Sequence, residues 1–154
     1  MKDITTSLED YVEAIYMVIK QNRVARSKDI KERLGVNGAS VTAALKLLSD
    51  NGLVNYKPYE FITLTAKGKE IGKIISRRHF ILKNFLVTIL EQEEERAENM
   101  ACVIEHCMTP DSTMHITALL DFFKNNPKTH NDFKNYYESF KAGNRDNCCR
   151  GDEL

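Results

Sequence analysis

Apolar residues recur at helical spacing along most of this chain. Leu8, Val12, Ile15 and Ile19 form one stripe, which predicts an amphipathic opening helix over 7–21. Ser27 stands where it would cap a short second helix ending at Leu34-Gly35. Asn37-Gly38 introduces a third helix over 39–48, with Val41, Leu45 and Leu48 as its core face and Asn51-Gly52 as its stop. The pattern then changes to two short apolar runs, 53–57 and 61–64, separated by Pro58-Tyr59-Glu60, which predict a β-hairpin. Three helices and a hairpin in this order outline a winged helix-turn-helix, whose third helix would enter the major groove while the wing lies on the backbone.

Past Thr65 the spacing is helical throughout. A long helix over about 66–90 carries Ile71, Ile75, Leu82, Leu86 and Ile89 on one side, and a second over about 93–108 would pack through Ala97, Met100, Ala101, Ile104 and Met108. A third is expected from 112 to about 124, ended by Pro127. The last, over 130–140, has Phe133, Tyr136, Tyr137 and Phe140 as an aromatic stripe suited to a core or a subunit contact. The expected fold is mainly α, an N-terminal winged helix-turn-helix with a two-stranded β wing over 1–72 followed by an all-helical domain over 73–142. Polar residues 143–154 read as a flexible tail.

Charge adds a constraint. Lys plus Arg equals Asp plus Glu at 22 each, so no global positive field advertises nucleic acid, and DNA binding would need a local basic face. Ser40, Thr42, Ala43 and Lys46 on the third helix are the expected groove-facing residues, bordered by Ser27 and Asn37 at the helix starts. Arg26, Lys28, Lys57 and Lys67 are candidates for phosphate contacts, with a solvated surface charge as the alternative for each. No segment approaches the ~20 continuous apolar residues of a membrane span, and the polar, acidic start argues against a secretory signal, so a cytoplasmic protein is expected. Its cysteines Cys102, Cys107, Cys148 and Cys149 then read as thiols, with Cys107 a small buried hydrophobe and Cys148-Cys149 part of the tail. No phosphate-binding glycine loop or nucleophile turn occurs, so no enzyme is expected.

Candidate chemistry concentrates at Cys102-x-x-Glu105-His106. At about 100° per residue these three side chains fall within roughly 100° of one another, turned away from the apolar stripe of their helix. Asp10 and Glu13 sit together nearly opposite the stripe of the opening helix, and His79 lies on the flank of the long one. Thiol, carboxylate and imidazole are donors that a divalent transition ion takes when they converge. Spacing within single helices does not establish that convergence, and a solvated polar surface accounts for each group taken alone.

The run Leu8-Glu9-Asp10-Tyr11-Val12-Glu13-Ala14-Ile15-Tyr16, the Ser40-Val41-Thr42 helix, Leu64-Thr65-Ala66-Lys67-Gly68, Arg78-His79 and Glu105-His106 follow one another in order. Together, over roughly 8–123, they resemble the diphtheria-toxin-repressor family of metal-dependent regulators, most nearly its short manganese-transport-regulator branch. The resemblance implies that the helical domain is a dimerisation domain with no SH3-like third domain after it. It implies a homodimer that binds double-stranded palindromic operator DNA when metal is bound and represses metal-uptake genes, with no membrane and no organic substrate as partner. It also puts Asp10, Glu13, His79, Cys102, Glu105 and His106 at metal-ligand positions.

The donor set is mixed. Cys102 stands where the manganese branch usually has Glu, Asp10 where the iron branch has Met, and Lys83 where the iron branch's ancillary site has an acid. The expected cofactor is therefore Mn2+ or Fe2+, while the softer thiolate would also admit Zn2+, Co2+ or Cd2+ in vitro. With two acids in the N-terminal domain and four donors in the helical one, the ion would bridge the domains and favour a spacing that fits two half-sites about one duplex turn apart. Two other classes stay open: a winged-helix regulator controlled by an organic ligand or by thiol oxidation, and a metal-dependent hydrolase in which Glu, His and an ion activate water.

Overall fold

A computed structural model describes residues 5–143 of the chain. α1 (Thr6–Asn22) begins where the Thr5 hydroxyl accepts from the Leu8 N–H, and ends at Arg23 in the left-handed region, φ 67°. In α2 (Ser27–Leu34), Ser27 is the first helical residue rather than the cap. The N–H of Arg26, one residue earlier, donates instead to the Asp29 carboxylate at 2.9 Å. α3 (Gly38–Asp50) is capped by Asn37, whose side-chain oxygen accepts from the Ser40 N–H at 2.8 Å.

β1 (Val54–Asn55) and β2 (Thr63–Leu64) pair antiparallel, Val54 opposite Leu64 and Asn55 opposite Thr63. The wing is shorter than the apolar runs suggest. Pro58 has no N–H to give, Tyr59 turns left-handed at φ 67°, and Ile62 donates its N–H to the Ala25 carbonyl, tying the wing to the start of α2 instead of lengthening the ladder. Three helices and this hairpin form a winged helix-turn-helix. Its core is Val12, Ile15, Ala25, Ile30, Val41, Leu45, Leu48, Leu53 and Ile62, all fully buried.

α4 (Ala66–Thr88) starts at Thr65, whose hydroxyl accepts from the Gly68 N–H and donates to the Gly52 carbonyl. Two glycines let it lie close to what precedes it. A Cβ on Gly72 would stand 2.7 Å from the Tyr16 Cβ, and one on Gly68 2.0 Å from the Leu53 carbonyl oxygen. This packing sets the polar flank of α1 beside the middle of α4. A second, smaller core of Leu82, Leu86, Ala97, Ala101 and Met108 joins α4 to α5 (Glu94–Ile104).

The rest of the chain differs in detail from the sequence pattern. α5 stops at Ile104, and Glu105–Cys107 form a single tight 3-10 turn. Three residues of such a turn make one full revolution, so Cys107 lies over Ile104, itself 39% exposed, and is exposed, not a buried hydrophobe. α6 (Pro110–Asn125) starts at Pro110 rather than at 112, with Thr109 as cap, and Pro127 opens α7 (Pro127–Gly143) rather than merely closing α6. Phe133 of α7 meets Phe123 of α6 at 5.5 Å between ring centroids, whereas Tyr136 is 67% exposed. Cys148, Cys149 and the expected tail beyond Gly143 lie outside the described residues. Among those described, no helix is long and apolar enough to cross a membrane.

Candidate metal centre

Three segments meet beside the α1–α4 contact. α1 contributes Glu9, Asp10 and Glu13, which share one face because residues i, i+1 and i+4 fall within about 100°; α4 contributes His79; the 3-10 turn after α5 contributes Glu105 and His106. Glu105 is the centre of the group. It is 1% exposed, although the sequence pattern turned it away from the packed side of its helix. It follows the buried Ala101 and Ala97 by four and eight residues, so it continues the face that α5 packs against α4.

One oxygen of Glu105, Oε2, lies 2.7 Å from His79 Nδ1. The other, Oε1, is a buried side-chain oxygen with no hydrogen-bond partner, and its nearest ion-pair neighbour is His106 Nε2 at 3.7 Å. His106 in turn is held to α1 at both ring nitrogens, Nδ1 by Glu9 at 2.7 Å and Nε2 by Asp10 at 2.8 Å. Ligand atoms of Glu13, His79 and Glu105 lie within 4.8 Å of one another.

Among these carboxylates, Glu13 holds its proton more firmly than usual. Burial, reinforced by the charge of Glu105, pushes the Glu13 carboxyl up to about 7 against the opposing pull of His79 and Arg33. The hydrogen bond that the His79 ring donates to Glu105 raises its imidazole to about 9 although burial opposes its charged form. At His106, burial likewise favours the neutral ring, but Glu9 and Asp10 outweigh it and raise the imidazole. Burial and then the charges of Glu105, Asp10, Glu13 and Glu98 raise the Cys102 thiol. Protonated imidazoles here supply positive charge to a pocket of acids, which a divalent cation would supply more strongly. A buried carboxylate oxygen with no partner, flanked by imidazole nitrogens and further carboxylates, fits an ion such as Mn2+ or Fe2+.

Of the six donors expected from sequence, the structure gathers Glu13, His79 and Glu105, and sets Asp10 and His106 beside them as a pair. Cys102 is exposed and does not belong to the gathered group. Two participants were missed. Glu9 binds His106 across 97 residues of sequence, and Glu98 lies 3.1 Å from His79 Nε2. Both carried a signal: Glu9 continues the acidic face of Asp10 and Glu13, and Glu98 shares a helical face with Cys102 and Glu105 at i+4 and i+7.

On the winged helix-turn-helix, Ala43 and Lys46 are exposed along α3, and Ser40 and Thr42 are half-buried. The Thr42 hydroxyl donates to the Gly38 carbonyl at 3.0 Å, and the Asn37 oxygen is used in the cap. Ser27 is exposed at the start of α2, and the Arg26 guanidinium lies over the Phe61 ring, 4.9 Å from its centroid, at the wing. Lys28 and Lys57 make only long, exposed pairs with Glu32 and Glu60, at 3.7 and 3.8 Å, which cost little to exchange for phosphate. Lys67 is exposed in the first turn of α4.

Comparison with known proteins adds independent findings. Residues 3–61 match the model of the iron dependent repressor N-terminal DNA binding domain, and residues 65–134 that of the iron dependent repressor metal binding and dimerisation domain. The chain is 36% identical over 141 residues to the HTH-type transcriptional regulator MntR of Bacillus subtilis, covering 92% of this chain and 99% of that protein. It is 39% identical to the MntR of Bacillus pumilus over 78% of this chain and 83% of that one. A solved manganese-dependent transcriptional repressor in complex with manganese superposes with a TM-score of 0.66 at 28% identity, over 75% of this chain and 53% of that one. The manganese regulator SloR, at 24% identity and a TM-score of 0.67, shares the fold, and this chain spans 55% of it. Against these solved regulators the chain thus covers little more than half the length.

Proposed function

The chain belongs to the iron-dependent repressor family, and from that premise we propose that it is a metal-dependent, DNA-binding transcriptional repressor of metal-uptake genes. It acts in the cytoplasm, as a homodimer on palindromic duplex DNA, and is not an enzyme. Residues 1–72 serve as the DNA-binding domain and 73–142 as the metal-binding and dimerisation domain. The observation that carries the reading is the partnerless buried oxygen of Glu105, near His106, on a carboxylate whose other oxygen meets His79 and which lies within reach of Glu13 of α1. Asp10 and Glu13 on one side, and His79, Glu105 and His106 on the other, would hold Mn2+ or Fe2+; Cys102 stands at the edge as a donor available to softer ions. When bound, the ion would supply fixed positive charge beside Glu13, whose carboxyl otherwise holds its proton more firmly than usual.

The chain's own residues couple that charge to DNA. α1 presents Glu9, Asp10 and Glu13 on its polar flank and buries Val12 and Ile15 in the same core that seats α3. Anything that fixes α1 against His79, Glu105 and His106 therefore also fixes α3, with Ser40, Thr42, Ala43 and Lys46 toward the major groove. Ser27, Asn37, Arg26, Lys28 and Lys57 border that face and supply backbone contacts. Coupling of this kind is reciprocal: DNA tightens ion binding by the factor with which the ion tightens DNA binding.

Selection of duplexes from a random pool with Mn2+ present tests this directly. The full chain should enrich a palindrome, and should retain it only while Mn2+ is supplied. Asp10→Ala should fold and bind the selected duplex no more tightly with Mn2+ than without it. Equal enrichment with Mn2+ and with a chelator would refute metal control and favour a regulator answering to another signal.

A further inference from the structure

His79 is gripped from two sides by separate parts of the chain. Nδ1 faces Glu105 at 2.7 Å, while Nε2 meets Glu98 Oε1 of α5 at 3.1 Å. The second oxygen of Glu98 accepts from Lys83 Nζ at 2.9 Å, and the same ammonium donates to Glu94 at 3.1 Å. Lys83 follows His79 by one turn of α4, and Glu94 precedes Glu98 by one turn of α5. Glu98 is held below the usual carboxylate range: burial works against its charge, but the hydrogen bond from Lys83 and the neighbouring His79 outweigh it. One carboxylate therefore uses one oxygen on an imidazole and the other on an ammonium, across the seam where α4 packs on α5.

We propose that Glu98, clamped by Lys83, is a positioning residue for the metal centre: it keeps the Nε2 proton on His79, so that Nδ1 is the nitrogen offered to the ion beside Glu105. The inference rests on the metal-site reading above. An imidazole that binds a metal through one nitrogen is oriented by whatever accepts from the other, and an ionised carboxylate fixed by a second contact is the firmest such acceptor. Lys83 enters as the anchor of that acceptor. Its charge alone would repel a cation, so the clamp and simple electrostatics give opposite signs for its removal.

Mn2+ affinity of the full chain, measured by calorimetry or chelator competition, decides between them. Glu98→Ala should bind Mn2+ about 10- to 100-fold more weakly. Lys83→Met should also weaken binding, by less, while Lys83→Arg, which can grip the same carboxylate, should restore it. In Zn2+-loaded protein, 15N spectra of His79 should show a proton on Nε2 in the wild type and a mixture of tautomers in Glu98→Ala. Wild-type affinity in Glu98→Ala, or tighter binding in Lys83→Met, overturns the clamp. Both side chains are at the surface of the seam, 48% and 25% exposed, and ion-free thermal midpoints report whether each variant folds. His79→Ala separates the two levels. If it binds Mn2+ as well as the wild type does, the metal centre itself fails, and the clamp with it; if it loses Mn2+ while Glu98→Ala does not, only the clamp fails.

Discussion

Binding of Mn2+ at this site must displace protons, and the number follows from the acids and bases that hold them. At pH 7 the Glu13 carboxyl, raised to about 7, is half protonated, and His79, raised to about 9, carries its proton almost completely. Both must lose protons before an oxygen and a ring nitrogen can ligate. Glu13 and His79 together therefore release about 1.5 protons per ion at pH 7, falling to about one at pH 8, where Glu13 is already ionised, and toward none above pH 9. Mn2+ affinity should rise with pH along the same course, roughly thirtyfold from pH 6.5 to pH 7.5 at a slope of about 1.5. Calorimetry at pH 7 in two buffers of widely different ionisation enthalpy measures the release directly, since the apparent enthalpies differ by the proton count times that difference. An enthalpy independent of buffer would refute the reasoning, because it would mean that the ion meets groups that are already ionised.

Three further expectations follow from the same structure. Folded-state values raised above ordinary ones stabilise the ion-free protein below the ordinary value and cease to do so above the raised one, so thermal midpoints without metal should fall as pH rises from about 4.5 through 7 for Glu13 and from about 6.5 through 9 for His79; a midpoint rising over that span would contradict the assigned protons. Gly72→Ala places a Cβ 2.7 Å from the Tyr16 Cβ and should destabilise the fold by about 1–3 kcal/mol in urea denaturation, since α1 and α4 cannot both keep their places. Lys46→Ala should weaken binding to the selected duplex and reduce its salt dependence by about one ion, read from anisotropy across a salt series.

Much of the fold was legible because its signals are local. The stripe Leu8, Val12, Ile15 fixes the buried face of α1, and the caps at Asn37 and Thr65 mark where α3 and α4 begin. The end of α5 was not, because Ile104 and Met108 continue the apolar spacing through a segment that packing on α4 tightens into a 3-10 turn. Glu105 is buried because it follows Ala97 and Ala101 at spacings of eight and four on the face that packs on α4, whereas Cys107 comes one 3-10 revolution after Ile104 and shares its exposure. Asp10, Glu13, His79, Glu105 and His106 were recognisable as donor types, but no spacing rule states that the polar face of α1 meets residues nearly a hundred positions later. Glu9 and Glu98 were passed over for the same reason, since acids on a helix surface are ordinarily solvated and only the packing of α1 and α5 on α4 gives these two an imidazole each.

The account turns on an ion shared between α1 and the segments bearing His79 and Glu105, and anomalous diffraction from a crystal of the full chain soaked in Mn2+ tests that most directly. A manganese peak within bonding distance of Glu13, His79 and Glu105 is the expected result. A peak elsewhere, with the Glu105 carboxylate still buried and unligated, would contradict it.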